Sequence, residues 1–123
     1  MIVIESVNHI GLTVSDLESS IKFYRDLFDF DIVENLSNSG QAFLKMGDIM
    51  ISLTEVAGYK NNADSKSCIS FFVDEEDFED AVDELEESGI SIVEGPENIR
   101  KGKRVAFADP DGNHIELSYP KID

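Results

Sequence analysis

The chain has 123 residues, 26 of them acidic and 10 basic, for a formal net charge of -16. That length leaves room for one modest core, and 41% hydrophobic residues with 9% aromatics place the chain among globular rather than disordered sequences. The charge argues against nucleic acid and anionic membrane surfaces as partners, because attraction to phosphate needs clustered Lys and Arg.

The single cysteine, Cys68, excludes an internal disulfide and a Cys-rich zinc module. The opening MIVIESVNHIGL has neither a basic region nor a small-residue cleavage site, so it does not read as a signal peptide. No apolar run is long enough to span a bilayer. The expectation is a soluble cytoplasmic protein.

In chain order, residues 7–14 alternate as a strand, with Ile10, Leu12 and Val14 on one face and His9, Gly11 and Thr13 on the other. Ser15-Asp16 supplies a helix N-cap, and Leu17, Ile21, Tyr24 and Phe28 follow at helical spacing, predicting a helix over about 16–28. Strands are predicted over 30–36, 41–46 and 49–56. Residues 57–67 are polar and aperiodic, and read as a linker.

The pattern then restarts. Residues 68–73 form a strand, and an acidic helix follows with Phe78, Ala81, Val82 and Leu85 as its apolar stripe and Gly89 as its stop. Its charge reads as a solvated outer face, with acids near the N-terminus suiting the helix dipole and Glu86 and Glu87 opposing it. Strands are predicted over 90–94, ending at a Gly95-Pro96 break, and over 103–108 and 114–119. Between the last two lies a tight turn, Asp109-Pro110-Asp111-Gly112-Asn113.

Each half is therefore strand, helix, strand, strand, strand, an internal duplication. The organisation read from it is one domain, with module one at about 1–56, the linker at 57–67 and module two at 68–120. Val14 and Val73 each close a first strand, so counting back five places His9 and Cys68 at equivalent positions. Ile51-Ser52-Leu53 matches Ile115-Glu116-Leu117, so Ser52 is the counterpart of Glu116. The aliphatic residues of these strands are expected to face the helices. The opposite face carries His9, Thr13, Ser52, Cys68, Ser70, Phe72, His114, Glu116 and Ser118, polar enough to line a ligand pocket. Glu116 among apolar strand residues demands a partner.

The stretches NHIGLTVSDLESSIKFYRDLFDF and FADPDGNHIELSYP resemble the vicinal oxygen chelate superfamily, which includes glyoxalase I, bleomycin- and fosfomycin-resistance proteins and extradiol dioxygenases. The resemblance implies an α+β fold of two tandem βαβββ modules, forming a partly open barrel-like mixed sheet with helices outside, and commonly a homodimer. It implies a divalent ion in metal-dependent members. His9 matches the first-strand histidine and Glu116 the last-strand glutamate. Cys68 stands where a second histidine is usual, and Ser52 where glyoxalase I has a further glutamate. Cys68 as a thiolate would complete a His9/Cys68/Glu116 set suited to zinc, with nickel and manganese as alternatives, and His114 is a substitute donor. Without an ion, Cys68 is a small strand residue and His9 a partner for Glu116.

Two functions follow. The reading preferred on the sequence is a protein that binds a small, cationic or aromatic molecule without a complete metal site, with Phe43, Phe72 and Tyr119 as stacking surfaces and Phe107 as a fourth candidate whose expected role is core packing. The alternative is a metal-dependent lyase or isomerase of the glyoxalase type, in which Glu116 moves a proton.

Overall fold

The computed structural model describes residues 1–122. The chain divides into two compact units, Met1–Lys60 and a second beginning at Asn61. Each is a βαβββ unit built on a four-stranded mixed sheet, so the fold class is α+β and neither sheet closes into a barrel.

The first unit runs β1 (Ile10–Val14), α1 (Leu17–Phe28), β2 (Asp31–Leu36), a 3-10 turn (Ser37–Ser39), β3 (Gln41–Met46) and β4 (Ile49–Glu55), with sheet order β1-β4-β3-β2. β1 lies parallel to β4, with Gly11 opposite Ser52, and the other pairs are antiparallel. The Asp16 carboxylate caps α1 by accepting from the Ser19 amide, as the sequence predicts. A second cap comes from far along the chain: Glu55 Oε2 accepts from the Leu17 amide at 2.8 Å. Leu17, Ile21 and Tyr24 form the buried stripe of α1, and Phe30, Leu44, Ile51 and Leu53 complete the core. Tyr24 sits edge-on to Phe23 and Phe30 within it.

The second unit repeats the plan with β5 (Cys68–Phe72), α2 (Glu75–Glu87), β6 (Ile92–Ile99), β7 (Gly102–Ala108) and β8 (His114–Tyr119), in the order β5-β8-β7-β6. β5 is parallel to β8. Phe78, Val82 and Leu85 of α2 are buried, as are Val105 and Phe107 of β7 and Ile115 and Leu117 of β8. Phe78 meets the Tyr119 ring edge-on at 5.2 Å between centroids. Phe107 is a core side chain, as expected, and Tyr119 is one too rather than a stacking surface.

Two boundaries differ from the sequence reading by three residues or more. β1 begins at Ile10, so His9 precedes the strand. β6 continues through Gly95-Pro96, where a break was expected. Pro96 has no amide hydrogen to give a ladder, and β6 accommodates it as an end strand whose register to β7 shifts on both sides of Glu94.

The turn between β7 and β8 is held by its own side chains. Asp109 Oδ1 accepts from the amides of Asp111 and Asn113, each at 2.9 Å, and its Oδ2 accepts from the Asn113 side chain. Gly112 supplies a positive φ of 81°. Asn61 fastens the start of the unit to this turn, donating its amide to the Asp111 carbonyl and its side-chain nitrogen to the Gly112 carbonyl.

Candidate functional site

In the first unit, His9 is exposed, with Nδ1 2.7 Å from Asn8 Oδ1 and its ring edge-on to Phe43 at 5.5 Å. Thr13 is half-buried on β1. Ser52 is buried on β4, and a Cβ added at Gly11 would come within 3.3 Å of its hydroxyl. The serine thus occupies the space that a larger residue at position 11 would need.

In the second unit, parallel pairing of β5 with β8 sets Cys68 beside His114, Ser70 beside Glu116 and Phe72 beside Ser118. Paired residues point to the same side, so all six expected pocket residues of this unit share one sheet face. Cys68 is exposed and Phe72 is 48% exposed, so the face is not a packed core. Ser118 is buried and its hydroxyl lies 2.9 Å from that of Ser70. Ser70 stands beside Glu116 in the strand pairing, where its hydroxyl favours the ionised carboxylate.

The partner that Glu116 requires is Arg104. Its Nε donates to Glu116 Oε1, and its Nη1 donates to Glu97 Oε1 at 2.5 Å. Glu94 Oε2 stands 3.9 Å from the same nitrogen. Arg104 and Glu116 are only 15% and 13% exposed, whereas Glu94 and Glu97 are about half open. Burial alone would raise the Glu116 pKa. Hydrogen bonds from Ser70 and Arg104, with the positive charges of Arg104 and Arg100, outweigh it and hold the carboxyl below the ordinary range. The bond to Glu116 is also the largest influence holding Arg104 protonated. At Cys68 burial pushes the thiol pKa up, the Glu116 charge adds to it, and Arg104 offsets part.

The model of the glyoxalase/bleomycin resistance protein/dioxygenase superfamily matches residues 6–117. The chain belongs to that superfamily. Among superfamily proteins, it is 40% identical over 117 residues to the metallothiol transferase FosB of Staphylococcus epidermidis, covering 93% of this chain and 81% of that protein. It is 35% identical to the glutathione transferase FosA of Serratia marcescens, covering 93% and 80%. The fosfomycin resistance protein FosX of Mesorhizobium loti superposes with a TM-score of 0.80 at 27% identity, over 98% of this chain and 96% of that one. FosX of Listeria monocytogenes, crystallised with Mn(II) and sulfate, shares the superfamily fold at 22% identity and a TM-score of 0.84, over 98% and 94%.

For a divalent ion, the second unit offers Cys68 and Glu116 on one face, and the first offers His9. Among the described residues no three His, Cys, Asp or Glu side chains form a group that could hold a metal ion. Arg104 is the site residue that the sequence reading missed. The signal was available, because a hairpin folded about Asp109–Asn113 puts Ala106 opposite Glu116 and Arg104 opposite Ser118. That leaves Arg104 one diagonal from the glutamate, a separation that a long side chain spans.

Proposed function

We propose that this protein is an enzyme of the fosfomycin-resistance group that adds a small thiol to a phosphonate-bearing epoxide. The observation that carries the reading is the 40% identity to a metallothiol transferase across nearly the whole chain. It is supported by the polar, accessible β5–β8 face on which an ionised Glu116 and Cys68 stand together. Imidazole, thiolate and carboxylate form a donor set that suits a divalent transition ion, with sulfur favouring zinc over manganese. In this reading the candidate donors are those the superfamily resemblance implies, His9 of the first unit and Cys68 and Glu116 of the second, and a bound ion would supply Lewis acidity at the epoxide oxygen.

The chain's own residues do the rest. Ser70, hydrogen-bonded to Ser118, and Arg104 favour the ionised form of Glu116. Phe72 gives the substrate carbon chain an apolar surface, and His114 at the start of β8 is within the same face as a proton carrier. The thiol sulfur bonds to an epoxide carbon, the carbon–oxygen bond breaks, and the thiol proton ends on the freed oxygen. Cys68 must lose its own proton to serve as a donor, so loading is favoured by alkaline pH. A homodimer and a cytoplasmic location belong to the same proposal, on the superfamily resemblance; among the described residues no helix is long and apolar enough to cross a membrane.

The test is fosfomycin with cysteine or glutathione and Zn(II), Mn(II) or Mg(II), followed by phosphorus NMR. Adduct formation that disappears in His9→Ala and Glu116→Gln is expected. The second reading, a binding protein without an ion, draws on the engagement of Glu116 by Arg104. It gains if no thiol adduct forms with any ion while fosfomycin or a planar cation still raises the melting temperature. A glyoxalase-type isomerase is less well supported, because Ser52 is a buried hydroxyl where that chemistry uses a second carboxylate.

A further inference from the structure

We infer that the segment Met1–Val7 of one copy lies along β2 of a second copy, an exchange made twice in a symmetric dimer. The inference is independent of the reaction proposed above, and it gives the proposed homodimer a contact. Among the described residues twelve large hydrophobic side chains are exposed, and eight of them lie in two short stretches of the first unit. Met1, Ile2, Val3, Ile4 and Val7 are each at least 75% exposed, on a segment that forms neither strand nor helix. Ile32, Val33 and Leu36 belong to β2, an end strand whose outer backbone edge pairs with nothing in its sheet. An extended apolar segment is what such an edge accepts.

Charge points the same way. A groove of about 410 Å³ beside β2 is lined by Ile21 and Ile32 together with Lys22, Arg25 and Asp26. Lys22 is paired with Asp26, whereas Arg25 makes no ion pair among the described residues. Glu5 makes none either, and in the exchange it brings a carboxylate to that groove. The chain cannot serve its own β2 in this way. A strand outside β2 stands four spacings from β1, about 19 Å. Crossing that distance from Ile10 takes about six residues and leaves only Met1–Val3 to pair with the six of β2. A second copy is under no such limit, and because each copy carries both segment and edge, a two-fold arrangement satisfies both at once. In a lone copy β2 stays an open margin.

Sedimentation velocity of the full chain across the micromolar range tests the inference. Ile2→Ser with Ile4→Ser removes the apolar donor at exposed positions, and Val33→Lys with Leu36→Lys charges the acceptor edge. Each doubly substituted chain is expected to dimerise at least about 10-fold more weakly than the parent. Arg25→Glu should weaken the dimer as well, and it serves as the acceptor variant if the lysines unfold β2. An equal mixture of donor and acceptor variants regains one of the two contacts, so it should dimerise about 10-fold more tightly than either variant alone. A parent that stays monomeric removes the homodimer and this contact together. A dimer indifferent to both sets of substitutions keeps the homodimer and overturns the contact. Weakening by each variant with no recovery in the mixture overturns the exchange, because a segment docked on its own chain would behave in that way.

Discussion

A carboxylate set in a strand must be answered by a charge or by several donors, and Glu116 has both. The demand was visible in the sequence, since Glu116 stands between Ile115 and Leu117. Its answer was not read because the polar face was assembled from the first and last strands of each half, and β7 was left out of it. The same carboxylate reaches Cys68, where burial and the Glu116 charge keep the thiol protonated. At pH 8 iodoacetamide should alkylate Cys68 more slowly than a free cysteine of pKa about 8.5. Glu116→Gln removes the anion and leaves Arg104 to favour the thiolate, so alkylation should quicken by roughly 2- to 10-fold, measured by intact mass. An unchanged rate would mean that access, rather than charge, governs that thiol.

At the level of elements, the repeated strand-helix opening was legible because two cues coincide, alternation that stops at Val14 or Val73 and a helical stripe that starts directly after. What could not be read was contact between distant segments. Glu55 caps α1 from 38 residues away, and no local pattern announces it. β6 runs on through Pro96 because an end strand needs ladder bonds on one side only. Gly102 is a further case. A Cβ there would lie 2.0 Å from the Tyr119 carbonyl oxygen, a clash with backbone that no rotamer relieves. Gly102→Ala should cost about 2 kcal/mol or more in urea unfolding, the range of substitutions that force a backbone shift. A loss under about 0.5 kcal/mol would show that β7 can slide away from the end of β8 at little cost.

Across the whole molecule, a charge of -16 repels itself, and acid relieves that repulsion even as it removes specific ion pairs. Comparing the parent with Glu116→Gln separates the two effects, because the global charge of -16 changes by only one while the pair is lost outright. The folded Glu116 carboxyl is held below its unfolded value, so its stabilisation is complete above the ordinary glutamate pKa of about 4.3 and is lost as pH falls through the lowered folded value. The stability gap between the two proteins in urea should therefore be flat from pH 7 to 5 and shrink below pH 4. A gap independent of pH would assign the effect of the substitution to packing. The acidic side chains are distributed over both units, which is why composition alone could not locate the site.

The sheet ends carry one more consequence. β2 lies at the end of its sheet with all six residues exposed, Ile32, Val33 and Leu36 among them, and β6 lies at the end of the other. Pro96 withholds a donor from any strand that would zip onto β6, at every pH. β2 has no such guard, only the carboxylates of Asp31 and Glu34. Acid neutralises those and leaves Pro96 untouched, so a precipitate formed at low pH should be seeded by the hexapeptide DIVENL and by no part of the other unit's margin.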